Sequence, residues 1–381
     1  MVSTDPIGSH TFDTKSFWRF AQFGVLVLLI GLLFNPERIW PSVLNGAICL
    51  LGLGLAGPLI IAMVTATNGR WLDGFRVVPE SMAAAIFPGI LTLAFVLFGA
   101  PILFEWTHAS ALEAHPLLEM KSGWLNLPSF IVREAVVLAA LAWAASRVVS
   151  TSRALNGSAA TRSRHLRASC LFLLIFAPAF SVVSFDWLMS LEGEWFSTMF
   201  AVYIFSGLLL TGFAVIAIVA RLLEKRGLLK GAMTTDRWHD LGKMIFAFGF
   251  FWGYIWFCQY MLIWYSNIPE ETMWFETRMS GSWFALMMLN LILNCAVPFV
   301  ALLSQRAKKN PVIVVRVAIV LVFGRWLDLY LVVTPTFSEE PPLGLWEIGP
   351  PIGALGCFAA MMTMALRRRY TAKAPTTQVA A

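Results

Sequence analysis

The stretch that most constrains this chain runs from Met244 to Tyr265 and contains no formal charge. It is crowded with Phe, Trp and Tyr, and it follows the pair Asp240 and Lys243, which are spaced for one helix face. Roughly twenty apolar residues in a helix are enough to cross a hydrocarbon core about 30 Å thick. The stretch therefore predicts a transmembrane helix, with Asp240 and Lys243 as a charged pair at its inner end.

The composition extends this prediction to the whole chain. Hydrophobic residues make up 58% of the 381 residues and charged residues 13%, against roughly 25% charged residues in a soluble domain. Ten segments are long and apolar enough to span a membrane: 17–34, 43–66, 82–104, 129–147, 168–185, 196–222, 241–265, 282–304, 312–334 and 351–366. We predict an all-α polytopic membrane protein with ten transmembrane helices, a tail at 1–16, a transmembrane domain at 17–366 and a basic tail at 367–381.

The connecting segments sort by charge. Basic residues are concentrated in 147–167, 221–243, 305–311 and 367–369, and acidic residues in 113–119, 192–194, 270–276 and 339–347. Because basic loops stay on the cytoplasmic side, both termini are predicted to be cytoplasmic. The net charge of +6 is thereby explained by membrane orientation, and a nucleic-acid partner is not expected. The polar stretch 148–165 has the composition of a linker.

Polar side chains at membrane depth are costly and usually face the interior of a helix bundle, so each is a candidate for function. The candidates for a buried polar site or a proton path are His108, Arg133, Glu134, Asp186, Gln259, Arg325 and Asp328. In the predicted orientation they favour the outer half of the membrane. Because the inner half is poor in carboxylates, this distribution favours an outer half-channel for protons over a complete path.

Structural roles compete with these functional ones. Arg325 and Asp328 are three residues apart on one helix face, which also suits a buried ion pair. Arg133 and Glu134 are adjacent and point in different directions, so one of them is a candidate for an interfacial, snorkelling side chain. His108 follows the third predicted helix and equally suits an interfacial histidine that binds no ligand.

The sequence offers no redox or nucleotide site of its own. No two histidines are placed in facing helices for haem ligation, the cysteines are scattered without CxxC spacing, and no Walker A loop is present. We therefore expect no metal and no cofactor bound by this chain. From the residues alone, a stand-alone secondary transporter is a strong alternative, although the paired broken helices typical of that class are not evident.

Several sequence blocks resemble a known family. They are 240–272, 185–203 and 324–335, with shorter matches at 124–134 and 105–110. Together they resemble the ActF-type membrane subunits of alternative complex III, the quinol:electron-acceptor oxidoreductase of bacterial respiratory chains, which are similar to NrfD-type polysulfide-reductase proteins. By position, the resemblance adds Tyr265 to the candidate residues. It also draws attention to Glu194, which stands where the family usually has a histidine.

The resemblance implies a fold and a set of partners. The fold would be two four-helix bundles, helices 2–5 and 6–9, flanked by helices 1 and 10. The partners would be a homologous ActC-like membrane subunit, an iron–sulfur protein, multihaem cytochrome c subunits that carry c-type haems, membrane lipids and, as a further neighbour, a terminal oxidase. The location would be the bacterial cytoplasmic (inner) membrane.

The resemblance also implies a role. The sister subunit is the better candidate for quinol oxidation, and this chain would be a non-catalytic scaffold with a proton-conducting half-channel. The alternative within such a complex is a subunit that binds quinone directly, with Gln259 or Asp328 meeting the head group.

Overall fold

The computed structural model describes residues 13–229 and 231–371, and these residues form helices and connecting turns without strands. Ten long helices follow one another. They are α1 (Lys15–Phe34), α2 (Pro36–Ala66), α3 (Val77–Leu103), α4 (Leu127–Arg153), α5 (Ala159–Trp187), α6 (Phe200–Lys225), α7 (Thr235–Ser266), α8 (Gly281–Ala301), α9 (Pro311–Val333) and α10 (Leu345–Thr371). Short helical turns in the connections are Glu105–Thr107, Ala109–Ala114, Pro116–Met120, Met189–Leu191, Pro269–Arg278, Gln305–Lys309 and Thr334–Thr336.

Within the described ranges, nine of the ten long helices are long and apolar enough to cross a membrane. The remaining one, α9, carries three charged residues, Arg316, Arg325 and Asp328, which lower its apolar character. The prediction of an all-α polytopic membrane protein is confirmed. The number of spans and the cytoplasmic position of the termini stay predictions.

The helices extend beyond the apolar segments, and the linker expected at 148–165 is the largest difference. α4 continues to Arg153 and α5 begins at Ala159, so only 154–158 connects them. The side chain of Ser158 caps α5 by accepting a hydrogen bond from the backbone N–H of Thr161 at 3.3 Å. A polar, basic sequence is compatible with helix where the helix is long enough to leave the hydrocarbon, and hydropathy alone does not detect that extension.

Four further helices, α2, α3, α7 and α10, begin at least five residues earlier than predicted. α2 begins at Pro36, because a proline in the first turn gives up no intrahelical hydrogen bond. α10 begins at Leu345 and contains Pro350 and Pro351, which neighbouring helices make tolerable inside a membrane. Of the predicted tails, 367–371 belong to α10, whereas 1–12 and 372–381 lie outside the described residues.

The helices pack in two groups of four. α2 to α5 contact one another, α6 to α9 contact one another, and the groups meet where α2 and α5 pack on α6 and α2 also reaches α9. α1 and α10 pack side by side against α2. The interface between the two groups, formed mainly by α2, α5, α6 and α9, contains a cavity of the described structure.

The contact between α1 and α10 depends on small residues. A Cβ atom added to Gly24 would lie 2.4 Å from the Cα of Gly353, so the two backbones approach as closely as glycine allows. Gly349 lies one turn earlier on α10 and packs on Val27. Small residues at such spacing let membrane helices associate by van der Waals contact, because lipid supplies no hydrophobic drive between them.

Candidate functional site

An irregular segment of α8 holds the first polar side chains of the site. The helix contains a π-helical turn at Ile292–Ala296, followed by Pro298. Within this region the Asn294 side chain donates to the Oδ1 of Asn290 at 2.6 Å and to the backbone oxygen of Gly324 on α9 at 2.9 Å. Single π-helical turns inside α-helices are frequent at functional sites. Here the turn lies where the two asparagines meet α9.

Asp328 is the centre of this polar group, which we call the Asp328 network (Asp328, Arg325, Tyr203, Asn290 and Asn294). The carboxylate is fully buried. It accepts a hydrogen bond from the Tyr203 hydroxyl of α6 and another from Asn290 Nδ2 of α8 at 2.8 Å. The Nη2 of Arg325, on the same helix, lies 2.8 Å from its other oxygen. One carboxylate therefore joins three helices of the second group.

Arg325 uses only part of its hydrogen-bonding capacity. Its side chain is buried, and within the described residues Nε and Nη1 have no hydrogen-bond partner. The guanidinium fits against α6 because position 207 is glycine: a Cβ atom there would lie 1.8 Å from Nη2. Since a guanidinium has five N–H donors, the unused ones are available to an acceptor supplied from elsewhere.

A cavity of about 410 Å³ lies beside Arg325. Its lining comes from α2, α5, α6, α9 and α10, and it is apolar except for Arg325 and small groups such as Ser184 and Thr211. Phe323 of α9 and Leu355 of α10 line it and are also exposed on the outside of the helix bundle. The cavity therefore opens sideways between α9 and α10, towards the surface that faces lipid in a membrane protein.

A second buried arginine lies at the end of α9. Arg278, the last residue of the short helix Pro269–Arg278, donates to the backbone oxygens of Leu331 and Val332, both at 2.8 Å. Its Nη2 is also 2.8 Å from the carboxylate of Glu192, which accepts from Thr336 at 2.9 Å. Burial lowers the pKa of Arg278, and the charge of Glu192 opposes that effect. The charges of Tyr203 and Arg278 interact, but within the described residues no hydrogen bond joins the Asp328 network to the Arg278–Glu192 pair.

Arg278 and Glu192 were not among the residues that the sequence predicted. The available signal was the composition of 270–278, in which Arg278 is the only basic residue among several acids. A lone cation in an acidic loop is a reasonable candidate for a buried ion pair, because a buried charge needs a partner.

The first helix group contains a separate polar group, the Asp186 cluster (Asp186, Arg133, Trp124 and Ser129). Arg133 of α4 donates through Nε to Asp186 of α5 at 2.6 Å and through Nη1 to the Ser129 hydroxyl at 3.0 Å. The other oxygen of Asp186 accepts from the Trp124 indole at 2.9 Å, and the guanidinium lies 4.0 Å from the Trp124 ring centroid. Two sequence candidates, Arg133 and Asp186, are thus brought together.

Glu134 points to a different environment from its neighbour Arg133. Its Oε2 accepts from the indole of Trp187 at 2.7 Å, and its Oε1 has no hydrogen-bond partner among the described residues. Only 3% of Glu134 is exposed. An interfacial, snorkelling role is therefore excluded for Glu134.

Glu194 lies in the connection between α5 and α6 and contacts a histidine that was not among the residues predicted from the sequence. Its Oε1 is 3.0 Å from Nδ1 of His115, so an imidazole and a carboxylate are adjacent here. Lys121 donates to the backbone oxygens of Gly193 at 2.7 Å and Glu194 at 2.9 Å. Burial lowers the pKa of Lys121, and the Glu194 charge opposes this shift.

Five other predicted residues lie apart from both polar groups. Tyr265 is 85% exposed and His108 is also exposed, with its Nε2 2.7 Å from the oxygen of Pro101. Both follow or end an apolar helix, so their side chains project outwards, and neither belongs to a buried polar site. Gln259 is buried, but neither amide atom has a partner within the described residues. Asp240 and Lys243 form the predicted pair at 2.8 Å.

A scan of the chain against protein-family models gives no match, and no curated protein matches it. Among the described residues, no group of three or more His, Cys, Asp and Glu side chains is arranged to hold a metal ion. The site itself therefore has to carry the functional argument, because a fold alone does not determine an activity.

Proposed function

We propose that this chain is an integral subunit of a respiratory quinol:electron-acceptor oxidoreductase of the alternative complex III type. In this role it is a scaffold for a homologous membrane subunit, and it conducts protons from quinol oxidation through a half-channel. The iron–sulfur clusters, the c-type haems and the quinol-oxidising site belong to partner subunits. The proposed location is the bacterial cytoplasmic membrane, with the half-channel in its outer half.

The observation that carries this proposal is the buried Asp328 network on α9, with the Arg278–Glu192 ion pair as a second polar group at the end of that helix. Asp328 lies five residues before the end of α9, which corresponds to a depth of about 7.5 Å at about 1.5 Å per residue. A buried carboxylate at such depth is costly, and in membrane proteins ionisable residues of this kind mark proton relays and substrate paths. Asp328 and Tyr203 supply groups that can exchange protons, and Glu192 supplies an end at the surface.

Arg278 limits which ions such a path can conduct. Its guanidinium pairs with Glu192 and has a permanent positive charge. A fixed cation raises the barrier for other cations, as buried arginines do in selective pores. Proton transfer along this route therefore requires ordered water or hydroxyl groups that bypass the guanidinium, and Thr336 lies next to Glu192 for that purpose.

The proton role is tested by replacing Asp328→Asn in the assembled complex. Each quinol oxidised gives up two protons, and in sealed vesicles of the variant the share of them that reaches the outer side should fall by about tenfold or more, because the titratable group at depth is lost and the protons must leave by another route. The matched control is Asp240→Asn, which makes the same chemical change in an exposed ion pair. An Asp328→Asn complex that assembles and keeps its full proton yield would refute the proton role.

The place in a complex is tested separately by purification. A tagged chain isolated from its native membrane should bring with it haem-containing and iron–sulfur proteins in fixed proportion. A chain that purifies alone and moves a solute across liposomes would instead support the transporter alternative.

A second candidate, direct binding of quinone by this chain, is favoured by the cavity beside Arg325. The sequence pointed to Gln259 or Asp328 for the head group, but Oδ1 of Asp328 already accepts two hydrogen bonds, and Oδ2 lies 2.8 Å from the Arg325 guanidinium. Arg325 lines the cavity and has N–H groups without partners among the described residues, and in this candidate role a quinone carbonyl accepts a hydrogen bond from the guanidinium. Because Asp328 balances the guanidinium charge, a neutral ligand suits the site better than a second anion.

Photolabelling of the complex with an azido-quinone separates this candidate from the scaffold role. Label on the α9 and α10 peptides that line the cavity would support binding in this chain. Label confined to the sister subunit would exclude it.

A further inference from the structure

A groove at the other end of the molecule contains three arginines that the proposed function does not use. It lies between α4 and α5, next to their short connection, and has a volume of about 480 Å³. Two facing helix stripes form it: Trp143, Arg147 and Thr151 on α4, and Ala160, Ser163, Arg164, Arg167, Ala168 and Leu171 on α5. The spacings of three and four residues place each set on one side of its helix.

The arginines of this groove have no counter-charge within the described part of the chain. Arg147, Arg164 and Arg167 are exposed, and none forms an ion pair with a described carboxylate. Arg153, six residues after Arg147 on α4, shows the contrast, because its Nε lies 3.6 Å from the buried carboxylate of Glu80. Three cations gathered in one groove repel one another unless an anion is supplied from outside.

The groove also has an apolar end. Trp143 is 52% exposed and Leu171 is 43% exposed, and both lie on the side of the arginines that leads into the membrane-spanning parts of α4 and α5. Tryptophan at such a position is typical of the interface between lipid head groups and hydrocarbon. A ligand that fills the groove must therefore combine an anionic head with an apolar chain.

We propose that this groove binds the head group of an anionic phospholipid. Guanidinium groups match phosphate oxygens with paired N–H donors, so Arg147, Arg164 and Arg167 would hold the phosphodiester. The hydroxyl of Ser163 lines the same groove, and an acyl chain would run along Trp143 and Leu171. Basic pockets between transmembrane helices recognise lipid head groups in this way. The inference does not depend on the proposed respiratory role.

An acidic protein segment would also satisfy the charge, but it would leave the apolar end without a ligand. A lipid satisfies both ends, because its acyl chains can pack along the exposed side chains of Trp143 and Leu171. Free phosphate would satisfy only the arginines. The chemistry of the whole groove therefore favours a lipid over either alternative.

The test is a lipid titration of the full-length protein purified from membranes, with bound lipid counted by native mass spectrometry. Phosphatidylglycerol should bind in preference to phosphatidylcholine, which has the same chains and a zwitterionic head. The double variant Arg147→Gln/Arg164→Gln should weaken phosphatidylglycerol binding by roughly tenfold or more, because each basic residue near a membrane surface contributes about fivefold. The variant should fold normally, since both side chains are exposed.

The matched control is Arg162→Gln, which removes the same charge from α5 at an exposed position outside the groove. It should leave phosphatidylglycerol binding within about twofold of the unaltered protein. The proposal would be overturned if the protein bound phosphatidylglycerol and phosphatidylcholine equally well. It would also be overturned if Arg162→Gln weakened phosphatidylglycerol binding as much as the double variant does, or if inorganic phosphate displaced phosphatidylglycerol as effectively as the lipid itself. Loss of a co-purifying acidic protein from the double variant, with lipid binding unchanged, would assign the groove to that protein instead.

Discussion

Each of the two helix groups buries an arginine and an aspartate, but the two pairs are constructed differently. Arg133 and Asp186 belong to neighbouring helices, α4 and α5, and both oxygens of Asp186 are occupied by donors from this chain. Arg325 and Asp328 belong to a single helix, α9, and Asp328 gains its other donors from α6 and α8. The first pair joins two helices directly, whereas the carboxylate of the second pair contacts side chains from three helices.

The difference decides which arginine is available to a ligand. Arg133 stacks on Trp124 and binds Ser129 and Asp186, so most of its donors are used. Arg325 leaves Nε and Nη1 without partners and lines the cavity between the helix groups. We infer that the Asp186 cluster is chiefly structural, and that the Asp328 network is the candidate for function. Three experiments separate these roles.

The largest expected effect is on stability in the first group. Arg133→Ala would leave the fully buried carboxylate of Asp186 without its cation, which typically costs about 3–5 kcal/mol. The free energy of unfolding in mixed detergent micelles measures this loss. The matched control is Lys243→Ala, which breaks the exposed pair with Asp240 and should cost less than about 1 kcal/mol. Similar losses in the two variants would mean that the Asp186 cluster does not join α4 to α5.

A smaller effect is expected where Arg325 meets α6. In Gly207→Ala the new methyl group would take the space of Nη2, so the guanidinium must move and the variant should lose about 1–3 kcal/mol of unfolding free energy. Azido-quinone labelling of the cavity should fall at the same time. Gly52→Ala is the control in the same cavity, because its Cβ would meet only a flexible Leu208 methyl at 3.2 Å. Unchanged labelling in Gly207→Ala would separate Arg325 from ligand binding.

The smallest expected effect is a pH dependence of stability caused by Lys121, which lies in the connection between α3 and α4. Because burial lowers the pKa of Lys121 in the folded protein, the unfolded chain binds more protons between the lowered value and the usual value of about 10.5. Stability should therefore rise as the pH increases through that window, and the penalty for the charged lysine is fully present at neutral pH. Unfolding free energies between pH 8 and about 11, compared with Lys121→Met, measure this slope. Parallel pH profiles for the two proteins would contradict it.

Part of the site could be predicted from the sequence because its spacing is local. Arg325 and Asp328 are three residues apart on a helix, as are Asp240 and Lys243, and both pairs form in the structure. Arg133 and Asp186 were each identified as costly at membrane depth, but their partnership spans 53 positions. A single sequence holds no record of contacts at that distance.

Other contacts had no sequence signal that distinguished them. His115 meets Glu194 across two loops, and Arg278 reaches the carbonyls at the end of α9 from a short helix. Conversely, Tyr265 and His108 have the residue types of a polar site but lie on the outside of the bundle. Residue type predicts which side chains need a partner in lipid, and helix packing determines whether they face one.

The sequence by itself determined that this chain is a helical protein with many apolar segments, because long uncharged runs must satisfy their backbone hydrogen bonds internally in a membrane. It also determined which charges would be costly to bury. Only the tertiary structure decided that Asp186 is enclosed by partners, that Arg325 keeps free donors beside a cavity, and that Gly207 makes room for it. These outcomes depend on how helices distant in sequence face one another, and hydropathy along one chain does not contain that information.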